Sequence, residues 1–303
     1  MCLSQIKLYG VMVWYHPDQA TITYTQQLSQ WIRLIVVDNT ELAMQRFGQQ
    51  DLLTAHYINN DGNQGIAHAL NKGIQHVQSV ESSDTVSSWC VLFDQDSRID
   101  KGFIDQLSTA VQQTDSDVAA IAPSYFDQNL QRKGAVIKLN NGRLYRTIPQ
   151  GEQRLPASYV ISSGCCVNLS AFSIVGEHRT ELFIDFVDIE WGLRAEAKGF
   201  RIEVIPQLEM THYLGDRPIS VFGIKFVNHS PLRHYYYFRN AIWLCKKTYV
   251  PLAWKRCELL KMLPRFAVYA LFSDCRRSQI KHMTQGIVHG LVGITGKLSK
   301  EIK

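Results

Sequence analysis

The stretch that decides the fold is Trp89-Cys90-Val91-Leu92-Phe93-Asp94-Gln95-Asp96-Ser97. Its five leading residues are apolar, which is typical of a strand buried on both faces, and the run ends abruptly in two carboxylates one residue apart. An earlier apolar run, 33–37, ends in the same way at Asp38-Asn39. In parallel sheets covered by helices, ligands bind beyond the carboxyl ends of the strands. The stretch therefore predicts an α/β fold with acidic side chains at its ligand-binding edge.

Strand and helix patterns alternate on both sides of this stretch. The predicted strands are 8–15, 33–37, 53–58, 89–93 and 118–122, and the predicted helices are 18–31, 66–77 and 102–112. This alternation indicates a mostly parallel central sheet. Further along, Asn140-Asn141-Gly142 predicts a hairpin turn, and 201–205 and 208–213 are predicted as two strands.

The C-terminal part of the chain differs in composition from the rest. From Ser230 onward the pattern is helical, aromatic and basic, so we expect two units, 1–220 and 221–303. Ten Lys and Arg against three acids give residues 251–303 a net charge of +7, and the whole chain carries +5, which leaves −2 for the first 250 residues. The basic character therefore belongs to the C-terminal extension.

The sequence predicts neither a signal peptide nor a membrane span. The apolar run 8–15 is short for a signal peptide and continues into His16-Pro17 without a small-residue cleavage site. No run approaches the ~18–20 apolar residues that cross a bilayer. The seven cysteines are odd in number and lack C-x-x-C spacing, which is typical of free thiols in a reducing compartment. We expect a cytoplasmic protein whose membrane contact is peripheral.

Asp94 and Asp96 are the strongest candidates for chemistry. Two carboxylates one residue apart at a strand end can bind one divalent cation, and such oxygen ligands suit Mg²⁺ or Mn²⁺, which also bind diphosphates. The alternative is a strand end followed by an ordinary turn. His212, near the end of another predicted strand, is a candidate third ligand, although a single histidine is more often structural.

Two further segments could contact a nucleotide. Asp38 follows a strand and can accept a hydrogen bond from the imide N–H of uracil or thymine, or it is a solvated turn residue. Residues 60–65, rich in Asn and Gly, lead into a predicted helix whose N-terminus would point at a phosphate or ribose. This segment lacks G-x-G-x-x-G spacing and does not argue for NAD.

Residues 183–194 contain three acids among apolar side chains, Asp185, Asp188 and Glu190. Burial raises the pKa of a carboxyl group, which suits a general base. Glu190 and Arg194 are four residues apart, so an ion pair on one helix is the structural alternative for Glu190. Asp188 and Trp191 are three apart and would share a helix face.

Taken in order, these motifs resemble the inverting family-2 glycosyltransferases with the GT-A fold, and within them the bacterial rhamnosyltransferases of O-antigen and capsule assembly. The resemblance extends from about residue 8 to 240. The matching segments are 11–15 (opening strand), 36–39 (base-binding segment), 60–73 (Asn/Gly-rich stretch), 93–97 (D-x-D motif), 188–194 (acid-x-acid-x-x-x-Arg) and 235–240 (aromatic-Arg-Asn). His16 stands where the family more often has Asn.

The resemblance implies a hexosyltransferase that moves L-rhamnose from dTDP-L-rhamnose onto a lipid-linked glycan, in lipopolysaccharide O-antigen or capsule biosynthesis. Asp188 would be the catalytic base, and Mg²⁺ or Mn²⁺ would be bound by Asp94, Asp96 and His212. The implied substrate-binding residues are Tyr15, Asp38, Asn39, Asn60, Gly65, Asn71, Asp94, Trp191 and Arg194.

Several alternatives stay open. Another dTDP- or UDP-sugar could be the donor, and the chain could be a catalytically silent nucleotide-sugar-binding subunit. A nucleotidyltransferase usually has a Gly-rich basic loop after its first strand, and residues 14–18 contain no Gly, Lys or Arg. Nucleic-acid binding is not expected, because no reader motif accompanies the basic extension.

The extension itself has two interpretations. The segments 235–243 and 249–254 are rich in aromatic residues and have Lys246, Lys247, Lys255 and Arg256 beside them, a composition that favours the surface of an anionic inner membrane. The alternative is a helical cap or a dimer interface.

Overall fold

The computed structural model describes residues 6–81, 87–212, 215–221 and 223–298. The strands are β1 (Lys7–Trp14), β2 (Arg33–Asp38), β3 (His56–Asn59), β4 (Ser88–Asp94), β5 (Val118–Asp127), β6 (Arg132–Lys133), β7 (Val136–Asn140), β8 (Arg143–Thr147), β9 (Leu155–Ala157), β10 (Cys166–Asn168), β11 (Arg201–His212), β12 (Asp216–Val221) and β13 (Ile224–Asn228). The α-helices are α1 (Gln19–Leu28), α2 (Ile66–Val80), α3 (Lys101–Gln112), α4 (Leu169–Val175), α5 (Val187–Ala197), α6 (Pro231–Cys245), α7 (Leu252–Phe272) and α8 (Arg276–Val292). Short 3₁₀ turns lie at Leu42–Met44, Gln49–Asp51 and Thr180–Leu182.

The central sheet has the strand order β3-β2-β1-β4-β10-β5-β11-β9, with β6 paired to β5. The pairs β3–β2, β2–β1, β1–β4 and β5–β11 are parallel, and β10 is antiparallel to both of its neighbours. The chain leaves β1 towards β2 on one side and reaches β4 on the other, so the sheet has a topological switch point between β1 and β4. The predicted α/β class with a mostly parallel central sheet is confirmed.

Strand β1 shows how the apolar pattern divides the core between the two faces of the sheet. Val11 and Val13 pack with α2, α4 and α5, whereas Met12 and Trp14 pack with α1 and α3 on the opposite face. All four side chains are buried. Burial of each large apolar side chain contributes about 1.5–3 kcal/mol, which holds β1 at the centre of the sheet.

The predicted strands 201–205 and 208–213 form one strand, so the expected break between them was wrong. β11 continues through this region, and its register against β5 shifts between Ile205 and Glu209. Pro206 lies within the shift and has no N–H to donate, so the ladder is interrupted while the strand continues. Tyr213, the last residue of the prediction, lies outside the described residues.

The hairpin predicted at Asn140-Asn141-Gly142 is confirmed by β7 and β8, which pair up to Asn140 and Arg143. Asn141 and Gly142 have φ values of 47° and 71°. Two successive residues in the left-handed region are typical of a type I′ turn, which is the reason that an Asn-Gly pair marks it.

The helices α6, α7 and α8 share a hydrophobic cluster with the segment that leads into α5. Phe238, Ile242 and Trp254 pack there with Leu182 and Phe186. Helix α8 approaches α6 closely, since a Cβ at Gly286 would lie 2.4 Å from the Tyr235 carbonyl oxygen. The division at residues 220 and 221 stays a prediction, and the β12–β13 hairpin spans it.

Within the described ranges, no helix combines the length and apolar character needed to cross a bilayer. The described cysteines are free thiols, with Cys90, Cys165 and Cys166 buried and Cys275 exposed.

Candidate active site

A cavity of about 750 Å³ lies beyond the carboxyl ends of β1 and β4. It brings together segments that are far apart in sequence. Asp94 and Asp96 come from the end of β4 and Asp188 from the first turn of α5, while Tyr237 and Arg265 come from α6 and α7. Both expected units therefore contribute walls to one cavity at the switch point of the sheet.

Many of the residues predicted for the site line this cavity. They are Tyr15, Asn39, Gly65, Asp94, Asp96, Asp188 and His212. The remaining predicted residues lie outside the lining and have other partners. They are Asp38, Asn60, Asn71, Trp191 and Arg194.

Asp38 is buried behind the cavity rather than facing it. Its two carboxylate oxygens accept hydrogen bonds from the Thr40 N–H at 2.8 Å and from the Tyr57 hydroxyl at 3.0 Å. Asn60 is buried as well, and its amide donates to Asn39 Oδ1 at 2.6 Å. The contact of these two residues with substrate stays a prediction. In the structure both side chains form hydrogen bonds that stabilise the ends of the strands.

Asn71, Trp191 and Arg194 are held in the protein interior. The Asn71 amide donates to the His178 carbonyl oxygen at 2.8 Å and accepts from the His178 N–H at 2.9 Å. Trp191 Nε1 donates to the Gly176 carbonyl oxygen at 3.0 Å, so Trp191 packs in the core although Asp188, three residues before it, faces the cavity.

Arg194 and Glu190 form the ion pair that their spacing predicts. Arg194 Nε lies 2.8 Å from Glu190 Oε1, and both side chains are almost fully buried. The Tyr249 hydroxyl donates to the same Glu190 oxygen at 2.6 Å. The structural interpretation of Glu190 is therefore confirmed, and this network ties α5 to the C-terminal helices.

The Asp94–Asp96 pair closes a tight turn after β4. The Ser97 N–H donates to the Asp94 carbonyl oxygen at 3.0 Å, and the Asp94 N–H donates to Ser97 Oγ at 3.1 Å. Burial, followed by the charge of Asp96, raises the pKa of Asp94, whereas a hydrogen bond from the Ser163 hydroxyl lowers it. The turn thus points a desolvated carboxylate into the cavity beside an exposed one.

Asp188 lies in the first turn of α5. Its Oδ1 accepts from the Ile189 N–H at 2.8 Å. Burial raises the pKa of Asp188 to about 6, and the charges of Asp185 and Asp94 act in the same direction. A carboxyl group that titrates near neutral pH can accept a proton from a substrate hydroxyl and release it again.

Asp188 follows a strained stretch of backbone, residues 183–186, which we call the 183–186 turn. Phe183, Asp185 and Phe186 have φ values of 64°, 63° and 65°. Non-glycine residues in this region cost of order 1–3 kcal/mol each and persist only where the surroundings fix them. On one side the turn rests against Gly65, and the Ile66 N–H donates to the Phe183 carbonyl oxygen at 2.8 Å.

Sequence reasoning missed residues that complete the cavity. Ser163, which hydrogen-bonds Asp94, lies in a stretch without a recognisable pattern, and Arg233 lies 48 residues from Asp185 along the chain. Arg233 Nε lies 3.1 Å from Asp185 Oδ1. Asp185 was visible in the sequence as an acid among apolar residues, but nothing there identified its partner.

The protein is a glycosyltransferase, and the chain belongs to glycosyl transferase family 2. The family's model matches residues 26–174. The chain is 33% identical over 293 residues to dTDP-rhamnosyl transferase RfbF of Shigella flexneri, covering 95% of this chain and 96% of that protein. The predicted family and glycosyltransferase activity are confirmed.

The structure is also similar to a solved one, the crystal structure of GalNAc-T7 with UDP, GalNAc and Mn²⁺. The TM-score is 0.55 at 11% sequence identity, over 95% of this chain and 56% of that one. The chain thus spans little more than half the length of that structure. At this identity the likeness concerns the fold alone, and it agrees with the predicted GT-A fold.

Proposed function

We propose that this protein transfers L-rhamnose from dTDP-L-rhamnose to a lipid-linked glycan, with inversion at the anomeric carbon. One observation carries the proposal: a single cavity at the switch point holds the Asp94–Asp96 pair and, on a separate segment, Asp188. The donor assignment is supported by the similarity to dTDP-rhamnosyl transferase RfbF over nearly the whole chain. The glycan would belong to cell-surface polysaccharide, such as O-antigen.

Asp94 and Asp96 fit a Mg²⁺ or Mn²⁺ ion by the chemistry of their donor atoms. Carboxylate oxygens are hard ligands, and the Asp96 charge already disfavours ionisation of Asp94, a repulsion that a cation would relieve. Across the described part of the chain, no three or more His, Cys, Asp or Glu side chains are arranged to hold a metal by themselves. Diphosphate and water oxygens would therefore complete the coordination by Asp94 and Asp96. His212 also lines the cavity, and its role as a third ligand stays a prediction. The bound cation would offset charge on the diphosphate leaving group.

Asp188 would act as the base. Its carboxylate accepts the proton of the acceptor hydroxyl while the hydroxyl oxygen bonds to the anomeric carbon. The bond from that carbon to the diphosphate oxygen breaks, and the electron pair leaves with dTDP. A single displacement from the opposite face inverts the anomeric centre.

The cavity wall formed by α6 and α7 is suited to the acceptor sugar. Glu258 accepts hydrogen bonds from Lys261 and Arg265, each at 3.2 Å, and from the Tyr237 hydroxyl. The Arg265 guanidinium lies 4.6 Å from the centroid of the Tyr237 ring. Aromatic faces beside paired charges can stack on a sugar ring and bond its hydroxyls.

The first prediction tests the donor and the metal. At donor concentrations near 100 Kd, dTDP-rhamnose with Mn²⁺ should stabilise the protein by about 2.7 kcal/mol, while UDP- and GDP-sugars should not. Asp96→Asn should lower the affinity for Mn²⁺ roughly tenfold or more, since the loss of residues that merely support a metal ligand already costs 10–100-fold in metal affinity. The stabilisation by donor that depends on Mn²⁺ should fall accordingly. Thermal shift with and without Mn²⁺ measures both.

Asp51→Asn is the matched control, because Asp51 caps a 3₁₀ turn outside the cavity. An increase in melting temperature with a different nucleotide-sugar would support the glycosyltransferase reaction but would contradict rhamnose as the transferred sugar. No shift with any donor would favour a silent subunit. Release of pyrophosphate instead of dTDP during turnover would identify a nucleotidyltransferase.

The second prediction concerns contact with the cytoplasmic face of the inner membrane. Leu260 and Leu263 on α7 are 73% and 76% exposed, close in sequence to Lys255, Arg256 and Lys261. Combining Leu260→Asp with Leu263→Asp should lower binding to anionic vesicles roughly tenfold or more, since each buried leucine contributes about 1.5–3 kcal/mol. Flotation with phosphatidylglycerol-containing liposomes measures this.

Leu42→Asp serves as the control, because Leu42 is 62% exposed but lies outside the C-terminal helices. Undiminished flotation of the α7 double variant would exclude this face as the membrane contact.

A further inference from the structure

Helix α6 holds the 183–186 turn through several independent contacts. Asn240, itself buried, donates its amide N–H groups to the carbonyl oxygens of Leu182, Ile184 and Asp185 at 2.9, 2.8 and 3.0 Å. One side chain thus contacts three backbone acceptors. The carbonyl groups of Ile184 and Asp185 lie outside every helix and strand, and that of Leu182, which ends a 3₁₀ turn, also accepts from the Ile184 N–H.

Arg239, the residue before Asn240 on α6, also binds the backbone that leads into the turn. Its guanidinium donates to the carbonyl oxygens of Glu181 at 3.1 Å and Leu182 at 2.8 Å, and also to that of Gly296. Its Nε donates to Asn240 Oδ1 at 2.9 Å, which orients the Asn240 amide. The buried Arg239 therefore joins α6 and the chain beyond α8 to the 3₁₀ turn that leads directly into the 183–186 turn.

The side chains of the turn are fixed by α6 as well. Phe183 stacks on Tyr236 with centroids 5.0 Å apart, and Phe186 packs on Tyr237 at 5.1 Å. Asp185 pairs with Arg233 at 3.1 Å. Phe186 is the residue before Val187, where α5 begins, so whatever fixes the turn also fixes Asp188 at the start of that helix.

From these contacts we infer that Arg239 and Asn240 are positioning residues for catalysis, which hold the strained turn so that Asp188 faces the reacting hydroxyl. The inference rests on the proposed role of Asp188 as base. It makes the C-terminal helices part of the catalytic apparatus, in addition to any contact with acceptor or membrane. Neither side chain lines the cavity, so their effect on the reaction is indirect.

The third prediction follows. Asn240→Ala should lower kcat about a hundredfold, since displacement of a reacting group by ~1 Å costs on that order. The KM for dTDP-rhamnose and the Kd for dTDP should stay within about threefold of wild type, because the turn is not required to bind the nucleotide. Steady-state kinetics and equilibrium titration of the full chain with Mn²⁺ separate these quantities.

His289→Ala is the matched control. It removes the hydrogen bond between the Tyr235 hydroxyl of α6 and His289 of α8, and it changes no residue of α6 or of the 183–186 turn. Its kcat should stay within about twofold of wild type whatever its melting temperature. An equal loss of kcat in both variants would overturn the inference, because a loosened α6 alone would explain it.

The decisive measurement is the double variant Asn240→Ala with Asp188→Asn. If Asn240 acts through Asp188, the double variant should be no slower than Asp188→Asn alone, within about twofold. A further hundredfold loss in the double variant would overturn the inference and leave the proposed base intact. Normal turnover of Asp188→Asn would refute the proposed base instead, so the two failures are distinguishable.

If Asn240→Ala does not fold, Arg239→Lys provides the same test, because it keeps the charge but loses the planar guanidinium that donates to Glu181 and Leu182 and orients Asn240. A fall of kcat by about tenfold with unchanged dTDP binding is expected, since the attachment of the turn to α6 is loosened. A kcat within twofold of wild type would overturn the inference.

Discussion

Asp188→Asn is expected to lower kcat by about a thousandfold, in the middle of the 10²–10⁴-fold range typical of general bases. Donor binding should be unchanged. The amide keeps an oxygen that can accept the Ile189 N–H, so the first turn of α5 retains its hydrogen bond. What is lost is the negative oxygen that takes the proton from the acceptor hydroxyl. Rates of dTDP release, together with dTDP titration, measure both parts.

The same carboxyl group should govern the pH dependence of the wild-type enzyme. Burial raises the pKa of Asp188 to about 6, and only the deprotonated form can accept a proton. Turnover should therefore rise with pH through about 6 and fall roughly tenfold per unit below it. This acid limb should be absent from the residual activity of Asp188→Asn.

Asp100→Asn is the appropriate control, because Asp100 caps α3 by accepting the Phe103 N–H at 2.8 Å and does not line the cavity. That variant should behave as wild type. If Asp188→Asn instead loses dTDP binding in proportion to kcat, Asp188 binds the donor and the base must be another residue.

The sequence could predict those parts of the site that depend on local pattern. Asp94 and Asp96 follow an apolar run, and the register pairs Asp94 with Val13, so the strand ends meet at the edge where acids were expected. The Glu190–Arg194 pair was predictable for a similar reason. A helix fixes the geometry of residues four apart, whatever the rest of the fold does.

Side chains whose partners lie far along the chain could not be assigned in this way. Asn71 stands on a helix that was predicted well, but its amide is committed to His178, 107 residues away. Spacing states which face of a helix a residue occupies and not what packs against that face. For the same reason the 183–186 turn, which has no periodicity of its own, was not recognised as a unit held by α6.

Gly65 illustrates how a residue singled out in the sequence can have a second explanation. Glycine at the start of α2 was expected to let a phosphate or ribose approach the backbone. Gly65 does line the cavity and has a φ of 90°. What approaches it most closely in the structure, however, is the 183–186 turn, since a Cβ there would lie 2.5 Å from the Phe183 carbonyl oxygen.

Gly65→Ala is therefore expected to lower the free energy of unfolding by about 3 kcal/mol, as strained backbone at a non-glycine residue costs of order 1–3 kcal/mol and the Cβ also collides with Phe183. To relieve the contact the turn must move, which should also lower kcat about tenfold or more by displacing Asp188. Urea denaturation and steady-state kinetics measure the two effects.

Gly142→Ala is the control that separates backbone strain from the collision of the added Cβ with a neighbour. Gly142 has a φ of 71°, and nothing lies within 4 Å of an added Cβ. Its cost should be about 1 kcal/mol, that of the left-handed backbone alone, with no change in kcat. If both variants lost the same free energy of unfolding, the collision with Phe183 would contribute nothing measurable to the loss in Gly65→Ala. If Gly65→Ala kept its stability but lost affinity for dTDP, the close approach that matters would be that of the nucleotide, and the turn would be held by α6 alone.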